Sequence, residues 1–155
     1  MRVARISRAV YRDKIAAHFR LDAFDANAWV RLMKGVGMRY IIITAKHYYG
    51  FVIWPSVASD YNIRQVSKFQ RDLLAELVAA ARAEGLRVGF YHSHAFDWES
   101  PDAPGNDWGY ENPGGNRDLH GGTDWWNILA GFLTNMQRYI DRKVMPKLRE
   151  LLTQY

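Results

Sequence analysis

The chain has 155 residues, a formal net charge of +5, 48% apolar and 24% charged residues, and no cysteine. That length suits one domain with a real core, residues 1–155, and the balance of apolar and charged residues excludes disorder and coiled coil. The missing cysteines exclude disulfides and thiolate metal sites, and no run approaches the ~20 apolar residues of a membrane span.

Taken in chain order, Val3, Ile6, Val10, Ile15 and Phe19 recur at loose helical spacing and predict a first helix over residues 3–19. The opening stretch MRVARISRAVYRDK lacks the apolar block of a secretion signal, so a soluble chain is expected, its compartment open. FDANAWVRLMKGVG predicts a second helix, with Asp25 as N-cap, Trp29, Leu32 and Met33 turned inward, and Gly35 and Gly37 ending it. MRYIIIT follows as a continuous apolar strand of the kind buried on both faces. Ser67 to Gln70 reads as a capping box for the helix RDLLAELVAAARAE, which Gly85 closes. LRVGFYHS is a second strand. Strand, helix and strand make a βαβ unit, so the strands should be parallel.

Residues 94–123 form a long loop of Gly, Pro, Asn and Asp in which Trp98 and Trp108 argue for order. A last helix starts near Thr123 and should be kinked at Pro146. The positive charge is spread over the N-terminus and over Arg138, Arg142, Lys143, Lys147 and Arg149 of that helix, interleaved with acids. Solvated helix faces are expected, not a nucleic-acid partner.

Parallel α/β folds bind ligands at the C-terminal ends of their strands, which is where KHYY and YHSHAFDW sit. Six Trp and nine Tyr make the chain rich in rings that suit the apolar face of a sugar, although core packing uses the same residues. His47, Tyr48 and Tyr49 end the first strand; a hydrogen-bonded structural histidine beside packing tyrosines is the alternative. Tyr91 and His92 end the second. His92 and His94 have the spacing of a strand-borne zinc pair, but no third ligand is evident, so neither metal nor cofactor is expected. Asp97 and Glu99 flank Trp98, and paired carboxylates beside an aromatic suit glycosidic acid/base chemistry; surface carboxylates are the alternative for at least one of them. No nucleophile elbow, P-loop or H-E-x-x-H is present.

These stretches resemble a known family. FDANAWVRLMKGVGMRYIIITAKHYYGFVIWPS is similar to the helix, strand and K-H-H-D-G-F-x-x-W segment of glycoside hydrolase family 29, the α-L-fucosidases. RDLLAELVAAARAEGLRVGFYHSHAFDW resembles that family's next helix and Y-Y-S-x-x-D-W segment, and VMPKLRELLTQY the helix before its nucleophile strand. The resemblance covers nearly all of residues 19–155. It implies a retaining glycosidase acting on a fucosylated glycan or small α-L-fucoside, built on a (β/α)8-like barrel. It also implies that His47, Tyr48, Trp54, Tyr91 and His92 bind substrate, with Tyr48 and Tyr49 replacing the family's second His and Asp, and His92 its second Tyr. The family's first strand would precede residue 1 and its nucleophile strand follow Tyr155, so Asp97 and Glu99 are the expected catalytic carboxylates here. The fold class is therefore α/β, a partial barrel with about two parallel strands and flanking helices. Two open sheet edges predict completion as a homo-oligomer. The alternative function is an inactive barrel fragment with sugar-binding or only structural character. No membrane partner is expected.

Overall fold

The computed structural model describes residues 10–100, 102–103 and 136–155. Most of the expected loop 94–123 and the start of the last helix lie outside these residues. Strand β1 (Tyr40–Lys46) pairs in parallel with β2 (Arg87–His92), as the βαβ reading requires. Helix α1 (Ala26–Gly35) precedes them, the short α2 (Ile63–Val66) and the longer α3 (Leu73–Ala83) cross between them, and α4 (Met145–Gln154) ends the chain.

Local chemistry explains the helix ends. Asp25 accepts from the Ala28 amide and caps α1, as expected. Helix α3 is capped by Asp72, which accepts from Ala75 N, and not by the Ser67 box. Ser67 Oγ is already committed, donating to Ile63 O at 2.6 Å and accepting from Phe69 N at 3.1 Å. Gly37 and Gly85 stand just past the ends of α1 and α3 with φ of 84° and 71°, a backbone that other residues adopt only with strain. Before Pro146 the last helix widens into a π turn over Ile140–Val144. Proline lacks the N–H that would continue the ladder and its ring crowds the preceding turn, so the expected interruption falls there.

Of the first helix expected over residues 3–19, residues 3–9 lie outside the described residues, and the rest is not one continuous α-helix. Residues 10–18 make a π turn (Tyr11–Ile15) and a 3₁₀ turn (Ala16–His18), with Val10, Ile15 and Phe19 exposed.

One face of the sheet is packed. Ile41, Ile43 and Val88 lie against a core of Val30, Ile63, Leu73, Leu77, Ala80 and Ala81. Contrary to the reading of a strand buried on both sides, Tyr40 and Ile42 on the other face are 64% and 66% exposed. Trp29 and Leu32 of α1, expected inside, are exposed as well; Ala26 and Val30 make the buried contact instead.

After β1 the chain folds back on the strand end. Ile53 N donates to Ala45 O, and Trp54 is fully buried with Val52, Leu74 and Leu151. Its indole N–H donates to Glu150 Oε2 at 2.8 Å, while Glu150 Oε1 accepts from Val57 N and Ala58 N. The pairing of the strands slips by one residue between Thr44↔Tyr91 and Lys46↔His92, so Ala45 and Lys46 are both buried.

Two outcomes follow from these contacts. Replacing Glu150 with Ala strands the buried Trp54 indole N–H and takes an acceptor from two half-buried amides, and should lower stability by about 1–3 kcal/mol, read as a lower urea midpoint, with Glu150→Gln retaining more. His92 is 6% exposed, and neither ring nitrogen has a hydrogen-bond partner among the described residues. Burial, reinforced by the charges of Lys46 and Lys147, pushes its pKa down to about 3. The unfolded chain then binds one more proton between that value and the ordinary ~6.5. Stability should therefore be full above pH ~6.5 and fall by up to ~1.4 kcal/mol per unit as pH drops. Urea titrations at about pH 7 and 5 should show this loss, and His92→Phe should remove it; Asp97, held below the usual carboxylate range, adds its own loss only below about pH 4.

Candidate active site

Because β1 and β2 end side by side, the segments that leave them share one rim. Beneath that rim lies a buried charge cluster. Lys46 Nζ donates to Ser93 O at 2.9 Å, Phe96 O at 2.8 Å and Tyr139 Oη at 3.2 Å, and stands 3.2 Å from Asp97 Oδ2. Lys147 Nζ donates to the same carboxylate oxygen at 3.1 Å, and the Tyr139 hydroxyl lies 3.3 Å from it. Asp97 is 0% exposed. Burial alone would raise its pKa, but Lys147 and Lys46 hold it below the usual carboxylate range. Two ammonium groups share one carboxylate, so positive charge is in excess. Burial, partly offset by Asp97 and reinforced by Lys147, pushes Lys46 down to about 8.

The loops above this cluster are locked together through it. Asp97 Oδ1 accepts from Glu99 N at 3.0 Å, and Trp98 N donates to Tyr48 O at 2.8 Å. Gly50, at φ 84°, lets them approach: a Cβ there would stand 2.5 Å from Asp97 Oδ1 and 2.6 Å from Glu99 Cβ. No side chain fits between them.

Rings fill the rim. His47 lies 4.1 Å from Tyr48 and 5.7 Å from Tyr91, centroid to centroid. Tyr49 is stacked on Tyr48 at 4.4 Å and on Tyr11 at 5.6 Å, and Trp98 meets both Tyr48 and Tyr49 edge-on. Through its stacking on Tyr11, Tyr49 ties residues 10–18 to the rim. The Tyr48 hydroxyl bonds to that of Tyr49, and chiefly through this bond the Tyr49 phenol is pushed up to about 12. Arg12 donates to Glu99 Oε1 and to Asp60 O, both at 3.2 Å, and its guanidinium lies over Tyr61.

The structure thus brings His47, Tyr48 and Tyr91 together, with Glu99 beside Arg12, its side chain 14% exposed and its Oε2 shielded from solvent. It separates the others. His92 turns to the buried side of β2, its ring 5.2 Å from His94, and no group of three metal-binding side chains forms among the described residues. Trp54 sits in the core with its one polar atom used by Glu150. Asp97 is enclosed by its lysines and cannot touch a ligand in this arrangement.

Several supporting residues escaped the sequence reading. Lys147, assigned to a solvated face, is 1% exposed. Its signal was positional: Val144, Lys147 and Leu151 follow the i, i+3, i+7 spacing of a core stripe, which a lysine joins only when paired. Arg12, Tyr11 and Tyr139 carry no comparable mark, because their contacts are distant in sequence.

Comparison with known proteins bears on the family of the chain. The family model described as alpha-L-fucosidase matches residues 6–155. Tissue alpha-L-fucosidase of Bos taurus is 32% identical over 133 residues, 85% of this chain but 23% of that protein. That of Rattus norvegicus is 40% identical over 87 residues, 56% of this chain and 18% of that one. Among solved structures, alpha-L-fucosidase from Vibrio sp. strain EJY3 is 34% identical with a TM-score of 0.78, over 99% of this chain and 23% of its own. An alpha-L-fucosidase from Lactobacillus casei, solved with its α-L-fucose product, is 30% identical with a TM-score of 0.75, over 97% of this chain and 44% of its own. This chain spans about a fifth of the length of these curated relatives. With the family's pattern carried from residue 6 to residue 155, in both sequence and fold, the chain belongs to the alpha-L-fucosidase family.

Proposed function

We propose that this chain forms the sugar-holding side of an α-L-fucoside-hydrolysing site at the C-terminal ends of β1 and β2. The observation that carries the reading is the near-complete superposition on a fucosidase solved with α-L-fucose. His47 and Tyr91 are the sugar contacts, with Tyr48 closing one side. Each offers a ring for the apolar face of fucose and a polar group for a hydroxyl. Glu99, whose Oε1 lies 3.2 Å from the Arg12 guanidinium, is the carboxylate assigned to the bound glycoside. Asp97, its expected partner, is assigned to holding the loop, because a carboxylate shared by two buried ammoniums is closed to substrate. Trp54 and His92 support the rim from below.

A retaining glycosidase needs two carboxyl groups about 5–5.5 Å apart. With Asp97 engaged, self-association is our proposed source of the second. The exposed Tyr40 and Ile42 of the sheet and Trp29 and Leu32 of α1 provide an apolar surface for it. The enclosure of Asp97 also favours a second reading, in which the chain binds fucose without hydrolysing it.

Hydrolysis of a chromogenic α-L-fucoside separates the two. Under the first, Glu99→Gln lowers kcat at least ~100-fold and leaves the thermal transition in place. Binding of fucose with no turnover by the wild-type chain supports the second, and no binding at all sinks both. Asp97→Asn is expected to fail differently, losing about 3–5 kcal/mol of stability because two buried ammoniums lose their counter-ion. Light scattering at micromolar concentration should report an oligomer; a monomer rules out a shared site.

A further inference from the structure

We propose that Lys147, on the C-terminal helix α4, is a positioning residue for the strand-end site: with Lys46 it clamps Asp97, and Asp97 sets the loop bearing Trp98 and Glu99. The inference rests on the reading of this rim as a fucose site for its sugar-binding consequence only. Its geometry stands on a continuous set of contacts. Lys147 Nζ donates to Asp97 Oδ2 at 3.1 Å, Asp97 Oδ1 accepts from Glu99 N at 3.0 Å, and the intervening Trp98 N donates to Tyr48 O at 2.8 Å. Gly50 packs against this loop so closely that a Cβ there would stand 2.5 Å from Asp97 Oδ1 and 2.6 Å from Glu99 Cβ. A displacement of the Asp97 carboxylate therefore moves Trp98 and Glu99 together, and the Tyr48 and Tyr49 rings that Trp98 meets edge-on.

Charge distinguishes this role from mere stapling. The Lys46–Asp97 pair is neutral by itself, and a helix meant only to dock there needs no third charge. Lys147 adds a buried cation, which costs desolvation, and its single hydrogen bond among the described residues goes to the oxygen that Lys46 already engages. The carboxylate is thus held from two sides, from β1 and from α4, instead of following β1 alone. The groups facing Lys46 are Asp97, Tyr139, Lys147 and His92, so Lys147 is the neighbouring cation whose removal changes how readily Lys46 gives up its proton.

The test follows the Trp98 backbone amide by NMR against pH, in parallel with α-L-fucose binding. In the wild-type chain the Trp98 signal should titrate near pH 8, as Lys46 loses its proton and the clamp rearranges. Without the second ammonium, Lys147→Met should move that midpoint upward by roughly one unit and weaken fucose binding at least ~10-fold at neutral pH. Lys147→Arg, which keeps the charge, should restore most of both. A purely structural lysine would change the melting temperature and leave fucose binding by the folded Lys147→Met chain unchanged, and that result overturns the inference. Should Lys147→Met not fold, the wild-type titration decides: a Trp98 signal flat between about pH 6.5 and 9.5 overturns it. A Trp98 midpoint that shifts as described in a chain that binds no fucose supports the clamp and rejects the fucose reading instead.

Discussion

The sharing of Asp97 by Lys46 and Lys147 is the constraint on which the rest of the rim depends. A carboxylate taken wholly out of water is tolerated only when its lone pairs are engaged, and here two ammonium groups, a phenol and a backbone amide converge on it. Those partners come from β1, from the loop after β2 and from the last helical segment, so three remote parts of the chain meet at one atom group. The aromatic rim above inherits its geometry from that meeting. Its cost in desolvation is visible in Lys46, whose pKa falls to about 8 despite the adjacent carboxylate.

A second anchor works on the same logic with less charge. Glu150 of α4 receives the Trp54 indole N–H and two backbone amides, fixing the turn after β1 to the C-terminal helix. Together Lys147 and Glu150, three residues apart on one helix, hold both the top and the back of the β1 end. This helix therefore does more than cover the sheet. The uncovered sheet face tells the complementary story: Ile42 and Tyr91 lie on the side of the sheet away from the packed core. Such a face suits a fold of which this chain represents about a quarter in its Vibrio relative.

Much of the frame was legible in the residues. Asp25 before a helical stripe, glycines after it, the run Tyr40–Ile43 and the βαβ spacing led to α1, β1, α3 and β2 in the right order, because each depends on chemistry within a few residues. The Ser67 box misled because Asp72, closer to the apolar stripe, competes for the same cap. The Trp29–Leu32 face misled because periodicity reports which side of a helix is apolar, not whether anything lies against it. His47, Tyr48 and Tyr91, expected at the C-terminal ends of parallel strands, stand together there.

By itself, then, the sequence determined the elements, the parallel pairing and the rim on which polar aromatics gather, since these follow from local spacing and from the handedness of βαβ connections. Only the tertiary structure decided what each polar residue does there. The one-residue slip before Lys46 turns it inward, and the last helix brings Lys147 across some fifty residues to the same oxygen. Asp97 thereby became the buried counter-ion of two lysines, while Glu99 pairs with Arg12. Two carboxylates one residue apart look alike in a sequence, and burial among cations, which is a property of the assembled chain, separates them.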